Sequence, residues 1–211
     1  MPKRIQRPKN AAEWKQLDAD LASEKDEVMA AAHESKAAYD AIVPDRRDKG
    51  YRGDASQFFV AGELCRRRLV AVVTLGNCPN TDILCSNSAG TRFAHIQVKT
   101  FVPGIRTCSV GMKSERPYGE NFFWILGGIP TPESGSEFEY YIIPSKDMAS
   151  NMTACFRLWA DTPGAKGQKR NAENNTVRTV QLPPGINLNG WDISQYRGRW
   201  DLIEQCLTQS K

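Results

Sequence analysis

The stretch that most constrains this chain is residues 81–101, TDILCSNSAGTRFAHIQVKTF. Two strand-like runs, TDILC and RFAHIQVKTF, flank the turn-forming SNSAG. The pattern commits the centre of the chain to an antiparallel hairpin, and so to a sheet that other elements must cover. Strand alternation puts Gln97 and Lys99 on one face of the second run, with Ile96 and Val98 on the other. With a turn centred on Ser88 and Ala89, Asp82 is expected opposite His95 and diagonal to Gln97, within reach of a long side chain.

Around this hairpin the order is helix, a run of strands, then helix, which predicts an α/β domain. ASQFFVAGELCRRRL (55–69) reads as a helix and VAVVTL as the strand after it. CSVGM, NFFWILGGI and FEYYIIP read as further strands, the last two apolar enough to be buried on both faces. PSKDMASNMTACFRLWA predicts a helix starting after Pro144, with Ser145 as its cap. DTPGAKGQKRNAENNTVR (161–178) predicts an exposed loop, and its Lys166, Lys169 and Arg170 suit either solvent or a phosphate backbone. The tail GWDISQYRGRWDLIEQCL is expected to fold back as a short helix, because Trp191, Trp200, Leu202 and Ile203 need burial.

At the other end, residues 11–42 predict a long helix, with Trp14, Leu17, Leu21, Val28 and Ile42 at helical spacing and Pro44 as its stop. PDRRDKGYRGD reads as a polar, Gly-containing connector between the two helices. Two parts result: a basic arm with a helical extension over 1–48, and a domain with a C-terminal appendage over 49–211.

Composition narrows the class. With 40% apolar and 25% charged residues in 211, the chain has the make-up of a globular protein. No apolar run approaches the roughly 18 residues of a membrane span, and MPKRIQRPK lacks the apolar core of a secretory signal. A cytoplasmic protein without a membrane partner is expected. Lys3, Arg4, Arg7 and Lys9 have no acidic residue among them and carry the whole net charge of +4. That arm either touches phosphates or is a solubilising end. The six cysteines (65, 78, 85, 108, 155, 206) form no CxxC pair, and His33 and His95 are far apart, which argues against structural zinc. Buried free thiols in a reducing compartment are the expectation.

The hairpin thus gathers a carboxylate, an amide and an ammonium. Such a cluster suits phosphodiester hydrolysis. A hard cation such as Mg2+ takes oxygen ligands and keeps several waters, so one carboxylate with one or two neutral oxygens can hold it. The cation stabilises charge on the phosphate and lowers the pKa of a bound water. A neighbouring lysine can orient or deprotonate that water, or neutralise developing charge. The bland alternative is a half-solvated sheet face on which Lys99 pairs with Asp82.

The helix before the hairpin adds one residue. At about 100° per residue, Gln57 falls between Ala61 and Leu64, inside the apolar stripe with Val60 and Cys65. A polar group on a buried face needs a partner, and Gln57 is expected to point toward the sheet, where Asp82 lies. Glu63 falls on the opposite side, near Arg66, as a surface residue.

The helix with Gln57, the strand with Asp82 and then Gln97-Val98-Lys99 resemble the PD-(D/E)xK, or restriction-endonuclease-like, nuclease superfamily. Its signature is a helical acidic residue, an Asp at a strand start, and Glu/Asp/Gln-x-Lys on the next strand. SQFFVAGELCRRRLVAVVTLGNCPNTDILCSNSAGTRFAHIQVKTF is similar to a bacterial subgroup with VaaeL, TLGN, D-I-L and an I-Q-V-K-T strand. ENFFWILGGIP and FEYYIIPSKDM fit the later core, so the resemblance covers residues 54–160.

The resemblance implies an αβββαβ core with a mixed central sheet, here with a long N-terminal helix added. It makes Asp82 the main metal-ligating carboxylate, with Gln97 lending its amide oxygen from the second acidic slot. The Val98 carbonyl becomes an extra ligand and Lys99 the catalytic lysine. Gln57 stands where many relatives carry the helical glutamate. The implied activity is cleavage of DNA with Mg2+ or Mn2+, with the N-terminal helix serving a homodimer or docking. Glutamine in both slots leaves a single carboxylate. That departure keeps open a catalytically inactive module of the same fold, holding nucleic acid or a partner protein. An unrelated α/β interaction protein is the third reading.

Overall fold

In the computed structural model the described residues are 48–164 and 166–208, with eight further positions between 12 and 30, all helical and exposed. The chain divides into two units, Met1–Pro44 and Asp45–Lys211. The basic arm, Pro44, His33 and the apolar positions of the N-terminal helix lie outside the described residues, and so does the surface expected for a homodimer.

The second unit opens with α1 (Asp48–Arg66), followed by β1 (Val70–Val73), β2 (Ile83–Ser86), β3 (Phe93–Phe101) and β4 (Thr107–Ser109). A 3-10 turn (Met112–Glu115) leads to β5 (Phe122–Gly128), β6 (Glu139–Pro144) and α2 (Ser145–Asp161). β7 (Thr179–Gln181), a second 3-10 turn (Ser194–Tyr196) and α3 (Asp201–Thr208) complete it. Five strands form one mixed sheet in the order β1-β2-β3-β5-β6, in which β3 and β5 run parallel and the other neighbours antiparallel. The expected α/β class and mixed sheet are therefore present.

Alternation along the strands sorts the core into two layers. On one face Ile83, Cys85, Ala94, Ile96, Val98, Phe123, Ile125 and Ile142 meet Val60, Ala61 and Leu64 of α1 and Ile203 and Leu207 of α3. On the other, Phe101, Trp124, Leu126, Tyr141 and Ile143 meet Met148 and Met152 of α2, with Val180 and Trp191 behind. β5 is buried along its whole length, as its unbroken apolar run predicts. Its two glycines are needed for close approach. A Cβ on Gly127 would stand 2.8 Å from Ser56 Oγ of α1, and one on Gly128 2.6 Å from Phe101 Cζ.

Several expectations need correcting. α1 begins at Asp48, so the DKGYRGD assigned to a connector is helical, with both of its glycines near the N-terminal end of the helix. It ends at Arg66, not at 69, because Arg68 adopts φ 66°. There the Leu69 N–H reaches the Leu64 carbonyl and the Arg68 N–H the Cys65 carbonyl, a left-handed stop usually made by glycine. CSVGM does not extend the main sheet; β4 instead pairs with β7 in a separate two-stranded ribbon. Ser145 caps nothing on α2, since its Oγ accepts the Tyr118 N–H at 2.8 Å and the cap position is Pro144. The tail does bury Trp191, Trp200 and Ile203, and Trp200 meets Tyr140 edge-on.

Candidate active site

The site lies where β2 begins. Thr74, just past β1, fixes this end: its Oγ1 donates to the Thr81 carbonyl at 2.6 Å and its N–H to the Asp82 carbonyl at 2.9 Å. The last regular pair of the β2–β3 ladder is Ile83 with Ile96. Along β3 the odd-numbered residues turn their backbone groups toward β5: the His95 N–H goes to Asn121, and the Phe101 carbonyl takes the Ile129 N–H. The even-numbered ones face β2, so Val98 faces the space ahead of the start of that strand. The Asp82 carboxylate fills the gap. Its Oδ2 accepts the Val98 N–H at 2.7 Å and a short bond from Gln97 Nε2.

The register differs from the expected one by two residues. Leu84, not Asp82, lies opposite His95, and continuing the ladder brings Asp82 opposite Gln97. The cause is the turn. Asn87 Oδ1 accepts the Thr91 and Arg92 N–H groups and the Gly90 N–H reaches the Asn87 carbonyl, which moves the bend toward Gly90 at φ 65°. A shift of two leaves every side chain on its expected face. Asp82, Gln97 and Lys99 consequently share one face, and His95 Nδ1 sits 3.2 Å from Thr81 Oγ1 beside them.

Gln97 is 8% exposed, while Asp82 and Lys99 are half-buried. Burial raises the Asp82 carboxyl above its ordinary pKa. The Val98 N–H, Lys99, Gln97 and Lys113 pull in the other direction. Nothing in the spacing of Lys113 connects it to the hairpin, and sequence reasoning misses it. It arrives on the 3-10 turn after β4, and an exposed lysine on such a turn carries no pattern of its own.

Gln57 is half-buried on the α1 stripe with Val60, Ala61 and Leu64, the stripe that packs on the opposite face of the sheet. It is not among the groups that hydrogen-bond or charge Asp82. Cys65, expected in that stripe, is exposed. Glu63 forms the expected surface pair, taking Arg66 Nε at 2.8 Å and Nη2 at 3.0 Å. The buried thiols Cys85 and Cys108 are pushed up to about 12 by burial and stay protonated.

Among the described residues no three His, Cys, Asp or Glu side chains gather as a metal cluster. The donors at the site are hard oxygens all the same: the Asp82 carboxylate and the Val98 carbonyl ahead of the start of β2. One carboxylate completed by waters and a substrate phosphate is an accepted way to hold Mg2+, and a desolvated carboxylate gains from a cation. The donor set fits. Gln97 turns its amide nitrogen to Asp82, so lending its oxygen requires the amide to turn over. Compared with known proteins, the chain matches no family model, no curated protein and no solved structure.

Proposed function

We propose that this chain is a metal-dependent nuclease of the restriction-endonuclease-like kind, hydrolysing DNA phosphodiester bonds in the cytoplasm. One observation carries the reading: Asp82, held by a backbone amide that β3 cannot pair elsewhere, shares a sheet face with Gln97 and Lys99. Asp82 and the Val98 carbonyl would hold Mg2+ or Mn2+, with Gln97 as a neutral neighbour. When bound, the cation stabilises charge on the phosphate and makes a water more acidic.

The chain's own side chains do the rest. Lys99 donates to the attacked phosphate or its water and offsets charge that grows as the bond to the leaving oxygen lengthens. Gln97 keeps Asp82 oriented by donating to Oδ2. Desolvation of this corner strengthens each of these interactions. The basic arm and N-terminal helix would add phosphate contacts and a dimer contact.

A second reading has its own support. Among the described residues Asp82 is the one carboxylate at this corner, and the charges that act on it are those of Lys99 and Lys113, an arrangement that suits holding a phosphate without cutting it. The test is cleavage of supercoiled plasmid in Mg2+ or Mn2+ by the wild-type chain, beside Asp82→Ala and Lys99→Ala. Cutting that disappears in both variants is the expected result. Undiminished cutting by Asp82→Ala rejects the site, and DNA binding with no cutting by any form selects the second reading.

A further inference from the structure

The turn that carries Lys113 is held more firmly than its exposure suggests. Arg178 grips it at both ends. Its carbonyl accepts the Val110 N–H at 2.9 Å and the Gly111 N–H at 3.3 Å, at the entry to the turn. Its guanidinium donates to Glu115 Oε1 at 2.5 Å and Oε2 at 3.4 Å, at the exit. Two further bonds go to the Asn175 and Val177 carbonyls, and the group lies 3.4 Å from the centre of the Phe156 ring. Arg178 is 5% exposed. Between the two grips, the wholly buried Ser114 donates to the Gly111 carbonyl at 2.7 Å. A buried arginine with this many partners holds backbone in place and is not itself available to a ligand.

The turn comes directly after β4, which lies against β3 and whose Cys108 belongs, with Phe101, to the buried cluster on the face that carries Gln97 and Lys99. Lys113 therefore stands on a fixed turn that follows Val110, itself buried in the cluster on that face, and it is exposed to solvent. The fields of Lys99 and Lys113 both reach Asp82. Among the described residues, Lys99 and Lys113 are the charges that act on this carboxylate, and both are cations.

We propose that Lys113 is a second phosphate-binding cation of this site, lying outside the hairpin motif, and that Arg178 positions it through Glu115. The proposal rests on the reading of the site as one for a DNA phosphodiester. Each cation neutralising a phosphate releases about one counterion, so it contributes roughly 0.9 to the slope of log affinity against log salt. That slope is a readout which a merely structural residue does not move.

The experiment is binding of a fluorescent DNA duplex by the full chain in EDTA, across a series of salt concentrations, with thermal unfolding recorded for every variant. Lys113→Ala should lower the slope by about one, and Lys113→Arg should restore it. Arg178→Lys and Glu115→Gln should each lower it in the wild-type background and add nothing to Lys113→Ala, as residues acting through one another do. Should Arg178→Lys not fold, Glu115→Gln carries the same comparison. An unmoved slope in Lys113→Ala overturns the proposal. So does a further fall when Arg178→Lys is added to Lys113→Ala. No metal is present and no cutting is read, so failure here is distinct from failure of the nuclease reading, which is decided by Asp82→Ala on plasmid. A wild-type chain that binds no duplex in EDTA overturns the proposal and leaves the nuclease reading to the plasmid test.

Discussion

The two faces of the central sheet are made from alternate residues of the same strands, yet they finish differently. On the α1 side, Ala94, Ile96 and Val98 of β3 are buried in succession and two helices close over them. On the α2 side, the buried Phe101, Trp124 and Leu126 share their face with Gln97, Lys99 and His95. The difference arises at β2, which begins only at Ile83 and leaves the Val98 amide to a side chain. A ladder that stops short of Val98 must still satisfy that amide, and a carboxylate is the strongest acceptor available. The carboxylate that completes the backbone is also what places a charge on the α2-side face.

That contrast can be broken by removing apolar contact where chemistry is not expected. Leu64→Ala, in the wholly buried layer under α1, should cost about 3–4 kcal/mol, seen as a lower urea midpoint. Cleavage per folded molecule should be unchanged. A loss of specific cleavage would show that the α1 face contributes to the site.

The two glutamines make a sharper comparison. Gln97→Glu sets a second carboxylate beside Asp82 and should lower the Mg2+ concentration for half-maximal cleavage by about tenfold. Gln57→Glu places the same charge on the α1 stripe and should change it less than about twofold. Equal effects would mean that α1 reaches the site from the other side of the sheet.

A smaller effect is expected from pH in the metal-free protein. The Asp82 carboxyl is raised from its ordinary 3.8, chiefly by burial. The folded chain then keeps a proton that the unfolded chain has released, so stability from this group is complete below 3.8 and is lost as pH rises through the raised value. Asp82→Asn removes that dependence, and its unfolding free energy relative to wild type should improve as pH rises above 3.8. A difference that stays constant with pH would contradict the burial of the charge.

The smallest effect belongs to Glu63→Gln. Its pair with Arg66 is a surface pair, and such pairs contribute little. Melting temperature and cleavage should both stay within error, and a drop in cleavage would return Glu63 to the site.

Much of this was legible in the residues. Alternation alone put Asp82, Gln97 and Lys99 on one face, and helical spacing put Val60, Ala61 and Leu64 in the core, with Glu63 beside Arg66 at the surface. The register was not legible, because SNSAG contains several residues able to bend and only Asn87, by taking the Thr91 and Arg92 amides, selects one bend. β7 is three residues at the end of a polar run, too short for any period to register. Arg178 closes that same run and looks like a loop cation, but it is buried because Glu115 and two carbonyls satisfy it. Lys113 and Ser145 owe their roles to chain segments distant in sequence. No local pattern encodes such meetings.

The most direct measurement pairs two readings on Asp82→Asn: cleavage of supercoiled plasmid in Mg2+, and the thermal midpoint. The amide keeps an oxygen to accept the Val98 N–H but removes the charge. Cleavage should fall about 100- to 1000-fold, the loss typical when one charge-stabilising group is removed, while the midpoint shows little destabilisation. Cleavage at the wild-type rate would contradict it, leaving Asp82 as the cap of a short strand and nothing more.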